Sequence, residues 1–116
     1  ILPELLSLGS VSKNADPEKL EKSGMALFTQ PGFKIPLARG CSAWAIFKKL
    51  PETEELSKKY DLFLGQAVAA WGDERVYQNG RPDFEHAPKE MRTTHYVSGG
   101  RFFLLGEAVD VEPTAQ

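Results

Sequence analysis

The run Leu62-Phe63-Leu64-Gly65-Gln66-Ala67-Val68-Ala69-Ala70-Trp71 constrains the fold more than any other stretch of this chain. It holds a single polar side chain, Gln66, and is bounded by Asp61 and by the charged turn Asp73-Glu74-Arg75. Ten residues are too few to cross a bilayer. The run does not alternate strictly, so it should be covered on both faces. A buried helix would read similarly, but Gly65 in mid-run, Val68 and the flanking turn signals favour a central strand. In a small β-protein such a strand would be the spine of a barrel.

Other segments read as elements around it. Cys41 to Leu50, with Trp44, Ile46 and Phe47, is a second strand, expected to pair with Leu62–Trp71 as a long hairpin across the charged connection Pro51–Lys59. Phe102–Val111 reads as a third strand interrupted at Gly106. The segment 26–40 is punctuated by Pro31-Gly32, Pro36 and Gly40, leaving room for a short edge strand at Lys34–Leu37. Asp16-Pro17-Glu18-Lys19-Leu20-Glu21-Lys22-Ser23-Gly24 is the clearest helix. Asp16 suits its N-cap, Pro17 its first position and Gly24 its C-terminal cap. Pro3 to Leu8 should make a turn and a half of helix, stopped by Gly9. Asn79-Gly80-Arg81-Pro82 is turn chemistry, and Ala87–Arg92 a single helical turn. The sum is mainly β with one or two short helices, and a barrel best hides the edges.

Composition narrows the function. A length of 116 residues suits one domain, and a net charge of −2 argues against a nucleic-acid partner held by a basic field. One cysteine, Cys41, allows no internal disulfide, and no run is long enough to cross a membrane. Together these lead us to expect a cytoplasmic protein with no membrane partner. The apolar opening Ile1-Leu2-Pro3-Glu4-Leu5-Leu6 leads us to expect the interior of a longer protein. His86 and His95, with one distant cysteine, do not match a zinc pattern, and Walker, Gly-x-Gly-x-x-Gly and Gly-x-Ser-x-Gly motifs are lacking. The aromatic strands, with Trp44, Phe47, Phe63 and Trp71, carry more apolar surface than a monomer of this size can hide, which predicts a homodimer.

One stretch has the shape of an anion site. Ser12-Lys13 precedes the Asp16 helix and Lys19 sits in its first turn, where free N–H groups and the helix dipole favour a phosphate. The plainer reading is two exposed lysines neutralised by Asp16 and Glu18, and the residues alone favour it.

Three segments taken together resemble one family. Ser12-Lys13 with Asp16-Pro17-Glu18-Lys19-Leu20 and Ser23-Gly24-Met25 is similar to "Ser-Gly-Arg-x-x-Asp-Lys-Phe…Gly-Leu" of flavin reductase-like proteins. Leu62–Ala70 is similar to their "Leu-Phe-x-Gly-Glu-Val-x-Ala-Ala", and His95-Tyr96-Val97-Ser98-Gly99-Gly100-Arg101-Phe102-Phe103 to their "His-x-x-Gly-Gly-x-x-Tyr". The group is the flavin reductase-like, FMN-binding split barrel family.

The resemblance implies a dimeric split β-barrel holding FMN, here incomplete at the N-terminus, with residues 1–116 the C-terminal part of one domain. It implies NAD(P)H as co-substrate and a small molecule or protein as electron acceptor. It places Ser12, Lys13, Lys19 and His95 at cofactor-binding positions and requires no catalytic side chain. Lys13 departs from the family's frequent glycine, the loop to Lys19 is one residue longer, and Gln66 replaces a common glutamate. An electron carrier without nicotinamide turnover, a flavin-free dimerisation scaffold and an inactive fragment remain the alternatives.

Overall fold

The structure is a computed structural model describing residues 1–115. It is mainly β, with 28% of residues in strands and 23% in short helices. The chain forms two compact units, Ile1–Asp73 and Glu74–Gln116.

The first unit opens with α1 (Leu2–Ser10), which has Pro3 in its first turn. The helix runs through Gly9 rather than stopping there, because a mid-helix glycine costs only about 1 kcal/mol. Helix α2 is shorter than expected, Lys19–Ser23, and its N-cap is Glu18. Asp16 caps the turn before it instead, its Oδ1 accepting from the Glu18 N–H at 3.1 Å. Gly24 ends α2 in the left-handed conformation (φ 74°), as its lack of a Cβ allows.

Strands β1 (Leu27–Phe28) and β2 (Leu37–Ala38) pair antiparallel, so the short strand expected at Lys34–Leu37 lies slightly later. The long hairpin is β3 (Ala43–Lys49) with β4 (Gly65–Gly72), antiparallel, with a register shift between Ile46 and Phe47. Trp44 and Trp71 stand opposite each other across it. Phe28 meets Trp44 edge-on and Phe33 meets Trp71 edge-on, each with ring centroids 5.3 Å apart. The Trp44 indole N–H donates to the Ala38 carbonyl at 2.7 Å, satisfying its one donor and tying β2 to β3. Leu37 and Ile46 are buried here.

Two expectations for this unit fail. The connection after β3 is not simply charged loop: a 3₁₀ turn (Pro51–Thr53) leads into α3 (Glu54–Tyr60). Glu54 and Glu55 lie in its first turn and Lys58 and Lys59 in its last, each matching the helix dipole. Nor is β4 covered on both faces. Its strand starts at Gly65, not Leu62, and Val68 is 52% exposed. Among the described residues β3 is its only partner strand.

The second unit centres on Val76, fully buried, with Met91 also buried in a 3₁₀ turn, Lys89–Met91. Strands β5 (Tyr77–Gln78) and β6 (Arg81–Pro82) pair through Asn79-Gly80, both at positive φ (51° and 75°). That is the geometry of a tight hairpin turn, as the sequence indicates. Strand β7 (Thr94–Ser98) was not anticipated; it pairs antiparallel with β8 (Arg101–Leu104), Tyr96 against Phe102 with rings 5.0 Å apart. The expected strand Phe102–Val111 therefore begins one residue earlier and ends at Leu104, well before Val111. No helix among the described residues is long and apolar enough to cross a membrane.

Candidate functional site

The segment between α1 and α2, together with the first residue of α2, carries three of the four predicted cofactor-binding residues: Ser12, Lys13 and Lys19. The Lys19 ammonium donates to two backbone carbonyls, Leu8 at 2.7 Å and Val11 at 2.6 Å. It thus binds the C-terminal end of α1, whose last carbonyls have no helical partner and attract a cation. One of its three N–H groups is left over. The Ser12 hydroxyl accepts from the Ala15 N–H at 3.2 Å and the Ser12 carbonyl from the Asp16 N–H at 3.0 Å. The loop is therefore closed by its own short-range bonds, with the Ser12 hydroxyl proton still free to be donated. Lys13 is exposed and, among the described residues, is in none of the ion pairs of this unit.

Neither Lys13 nor Lys19 is in direct contact with the nearby carboxylates, although the Lys19 charge helps lower the Asp16 pKa. Lys22 reaches back instead, to Asp16 at 3.0 Å and Glu18 at 3.6 Å. Its hydrogen bond is the main reason the Asp16 carboxyl sits below its ordinary pKa, joined by the Glu18 N–H and partly opposed by desolvation. The seat thus offers Lys13, one Lys19 N–H and the Ser12 hydroxyl, beside acids already paired. By its chemistry, two ammonium groups and a hydroxyl, that donor set suits an anion such as a phosphate. Helix α2, only five residues long and capped by a glutamate, adds little dipole of its own.

His95 belongs to the second unit. It is exposed on β7 opposite Phe103. The other histidine is the more engaged one. The His86 ring nitrogen Nδ1 lies 2.8 Å from an Asp83 carboxylate oxygen, and that contact raises the His86 pKa and lowers that of Asp83. In the first unit, burial pushes the Cys41 thiol up, so it is a poor nucleophile.

A feature missed in the sequence is an open pocket of about 520 Å³ where the β3–β4 hairpin ends, lined by Phe47, Lys49, Phe63, Leu64 and Gly65. Its lysine is paired with Glu54 at 2.7 Å and lies over the Phe63 ring at 5.4 Å. The walls are mostly hydrocarbon, so the pocket suits an apolar or flat group rather than a phosphate. The Leu-Phe-x-Gly spacing of residues 62–65 was its available signal. Among the described residues no cluster of three His, Cys, Asp or Glu side chains could hold a metal ion.

No family model matches the chain. It is 33% identical over 104 residues to the uncharacterized protein YddH of Escherichia coli (strain K12), covering 89% of this chain and 53% of that protein. In structure it matches the crystal structure of an FMN-binding domain of a flavin reductases-like enzyme from Shewanella baltica OS155. The TM-score is 0.88 with 36% identity, over 96% of this chain and 58% of that one. The chain thus spans somewhat over half the length of each protein it matches. In fold and in sequence the chain is similar to this FMN-binding domain of a flavin reductases-like enzyme.

Proposed function

We propose that this chain is part of an FMN-binding flavoprotein that takes hydride from NAD(P)H and passes electrons to a small-molecule or protein acceptor, and that it works as a homodimer. The observation that carries the reading is the agreement in fold, at TM-score 0.88 and 36% identity, with a domain described as FMN-binding. We read residues 1–116 as one portion of a single split-barrel domain, since that likeness runs through 96% of the chain.

When bound, FMN supplies the redox chemistry; no acid or base from the chain is needed for it. The residues described here bind and orient. Lys13 and the Ser12 hydroxyl meet the phosphate, and the remaining Lys19 N–H adds a third contact. Lys22 keeps Asp16 and Glu18 from repelling it. His95 is assigned to the cofactor by family resemblance alone.

The test is a visible spectrum of the full-length gene product, followed by NAD(P)H oxidation. Flavin absorbance with nicotinamide turnover is the expected result. Absorbance without turnover would leave a flavoprotein electron carrier. A colourless protein that cannot be loaded with FMN would overturn the reading and leave a flavin-free scaffold.

A further inference from the structure

Helix α1 has no basic residue in its last turn, and none of its residues is buried. Its nine residues fall short of the roughly 12–15 that an isolated helix needs to persist in water. The cation suited to its C-terminal end comes from another element. Lys19, the first residue of α2, donates to the Leu8 carbonyl at 2.7 Å and to the Val11 carbonyl at 2.6 Å. Leu8 lies in the last turn of α1, and Val11 is the extended cap that follows it (φ −134°, ψ 136°). The Ser10 hydroxyl takes up a further carbonyl of that turn, Ser7, at 3.0 Å.

Val11 is bonded directly to Ser12, so the contact that caps α1 also fixes where the Ser12–Lys13 turn begins. The far side of that turn is closed by the Ala15 and Asp16 N–H groups on Ser12. Lys19 therefore ties the helix end to the phosphate seat. A lysine gives up much rotamer freedom when a ligand fixes it. Here two carbonyls have fixed it beforehand, so an anion that takes the remaining N–H is spared that loss. The advantage lasts only while α1 is formed, because a frayed helix scatters the Leu8 carbonyl and the cap behind it. Every contact involved is made within residues 8–19.

We propose that α1 is a positioning element for the cofactor, acting through Lys19. The formed helix holds Lys19 and Ser12–Lys13 ready for the FMN phosphate, and the bound phosphate in turn stabilises the helix. By linkage the two effects are equal in size. The inference rests on the FMN reading and adds to the site an element whose own side chains do not form the seat.

A flavin fluorescence titration of the full-length protein tests it. Leu6→Pro breaks α1 in its middle and leaves Ser12, Lys13 and Lys19 in place. It should weaken FMN about tenfold, with Trp44 and Trp71 fluorescence unchanged as the check on folding. In a Lys19→Met background the same change should cause no further loss, whereas unlinked roles would add. Additive losses, or a Leu6→Pro protein that binds FMN like the wild type, would overturn the coupling. Hydrogen exchange on the wild type needs no variant. Saturating FMN should slow the amides of Leu5–Ser10 by about threefold or more, and riboflavin, which lacks the phosphate, should not. Bound FMN that leaves those amides unaltered, or that speeds them by drawing Lys19 off the helix, would overturn the coupling and leave the FMN reading intact. Equal slowing by riboflavin would do the same, and a full-length protein that binds no FMN would overturn both.

Discussion

Lys19 and Lys13 look alike in sequence and differ in what they touch. Lys19 is committed to the carbonyls of Leu8 and Val11, so Lys19→Met should lower stability by about 1–2 kcal/mol in urea denaturation, flavin or no flavin. Lys13 supports nothing, so Lys13→Ala should leave the unfolding midpoint unchanged and weaken FMN by about 1 kcal/mol in a fluorescence titration. Lys22→Ala should weaken FMN as well, by exposing the phosphate to Asp16 and Glu18. No reading of residue order could separate these roles, because the distinction lies in where three flexible side chains end. The His86–Asp83 contact gives a pH signature. The folded His86 pKa is raised above 6.5, so its contribution is complete below 6.5 and is lost as pH rises through the folded value. Asp83 is lowered below 3.8, so its contribution is present above 3.8 and is lost as pH falls through the folded value. An NMR titration should place His86 above 6.5, and Asp83→Asn should bring it back.

At the scale of elements, what was legible followed from local chemistry. Asn79-Gly80 announced its turn, Gly24 its helix end, and the partnership of the Trp44 and Trp71 segments followed from their apolar density. What failed depended on neighbours. The Phe102–Val111 strand stops at Leu104 because the period that marks a strand says nothing about whether a partner is at hand. Helix α3 is legible in principle, since acids before lysines four residues later are a helix pattern, but the same residues also read as a charged connection. The candidate site was legible as a location, Ser12–Lys19, and not as a hydrogen-bond arrangement. Gly65 shows why the hairpin needs its glycine. A Cβ there would meet the Phe47 Cβ at 3.0 Å and the Lys48 carbonyl oxygen at 3.3 Å. Gly65→Ala should therefore cost about 1–3 kcal/mol by forcing β3 and β4 apart, read as a lower unfolding midpoint and an altered pocket at Phe63.

For the whole molecule, both tryptophans lie in the first unit, so intrinsic fluorescence reports that unit alone. Circular dichroism sees both. If residues 1–116 belong to one domain, the two transitions should coincide in urea, and separate midpoints would assign each unit its own stability. The placement of α3 has a consequence in time. Strands β3 and β4 cannot join until the ends of the 50–64 connection meet, as in the Leu50 N–H bond to the Leu64 carbonyl at 3.0 Å. A helix formed inside that connection shortens the search, because local helical turns form in roughly a microsecond while loop closure slows as the flexible loop lengthens. A helix-weakening change on its exposed face, such as Lys58→Gly, should then act on the folding limb of a chevron more than on the unfolding limb. The charged connector that reads as inert surface would set the pace at which the hairpin is made.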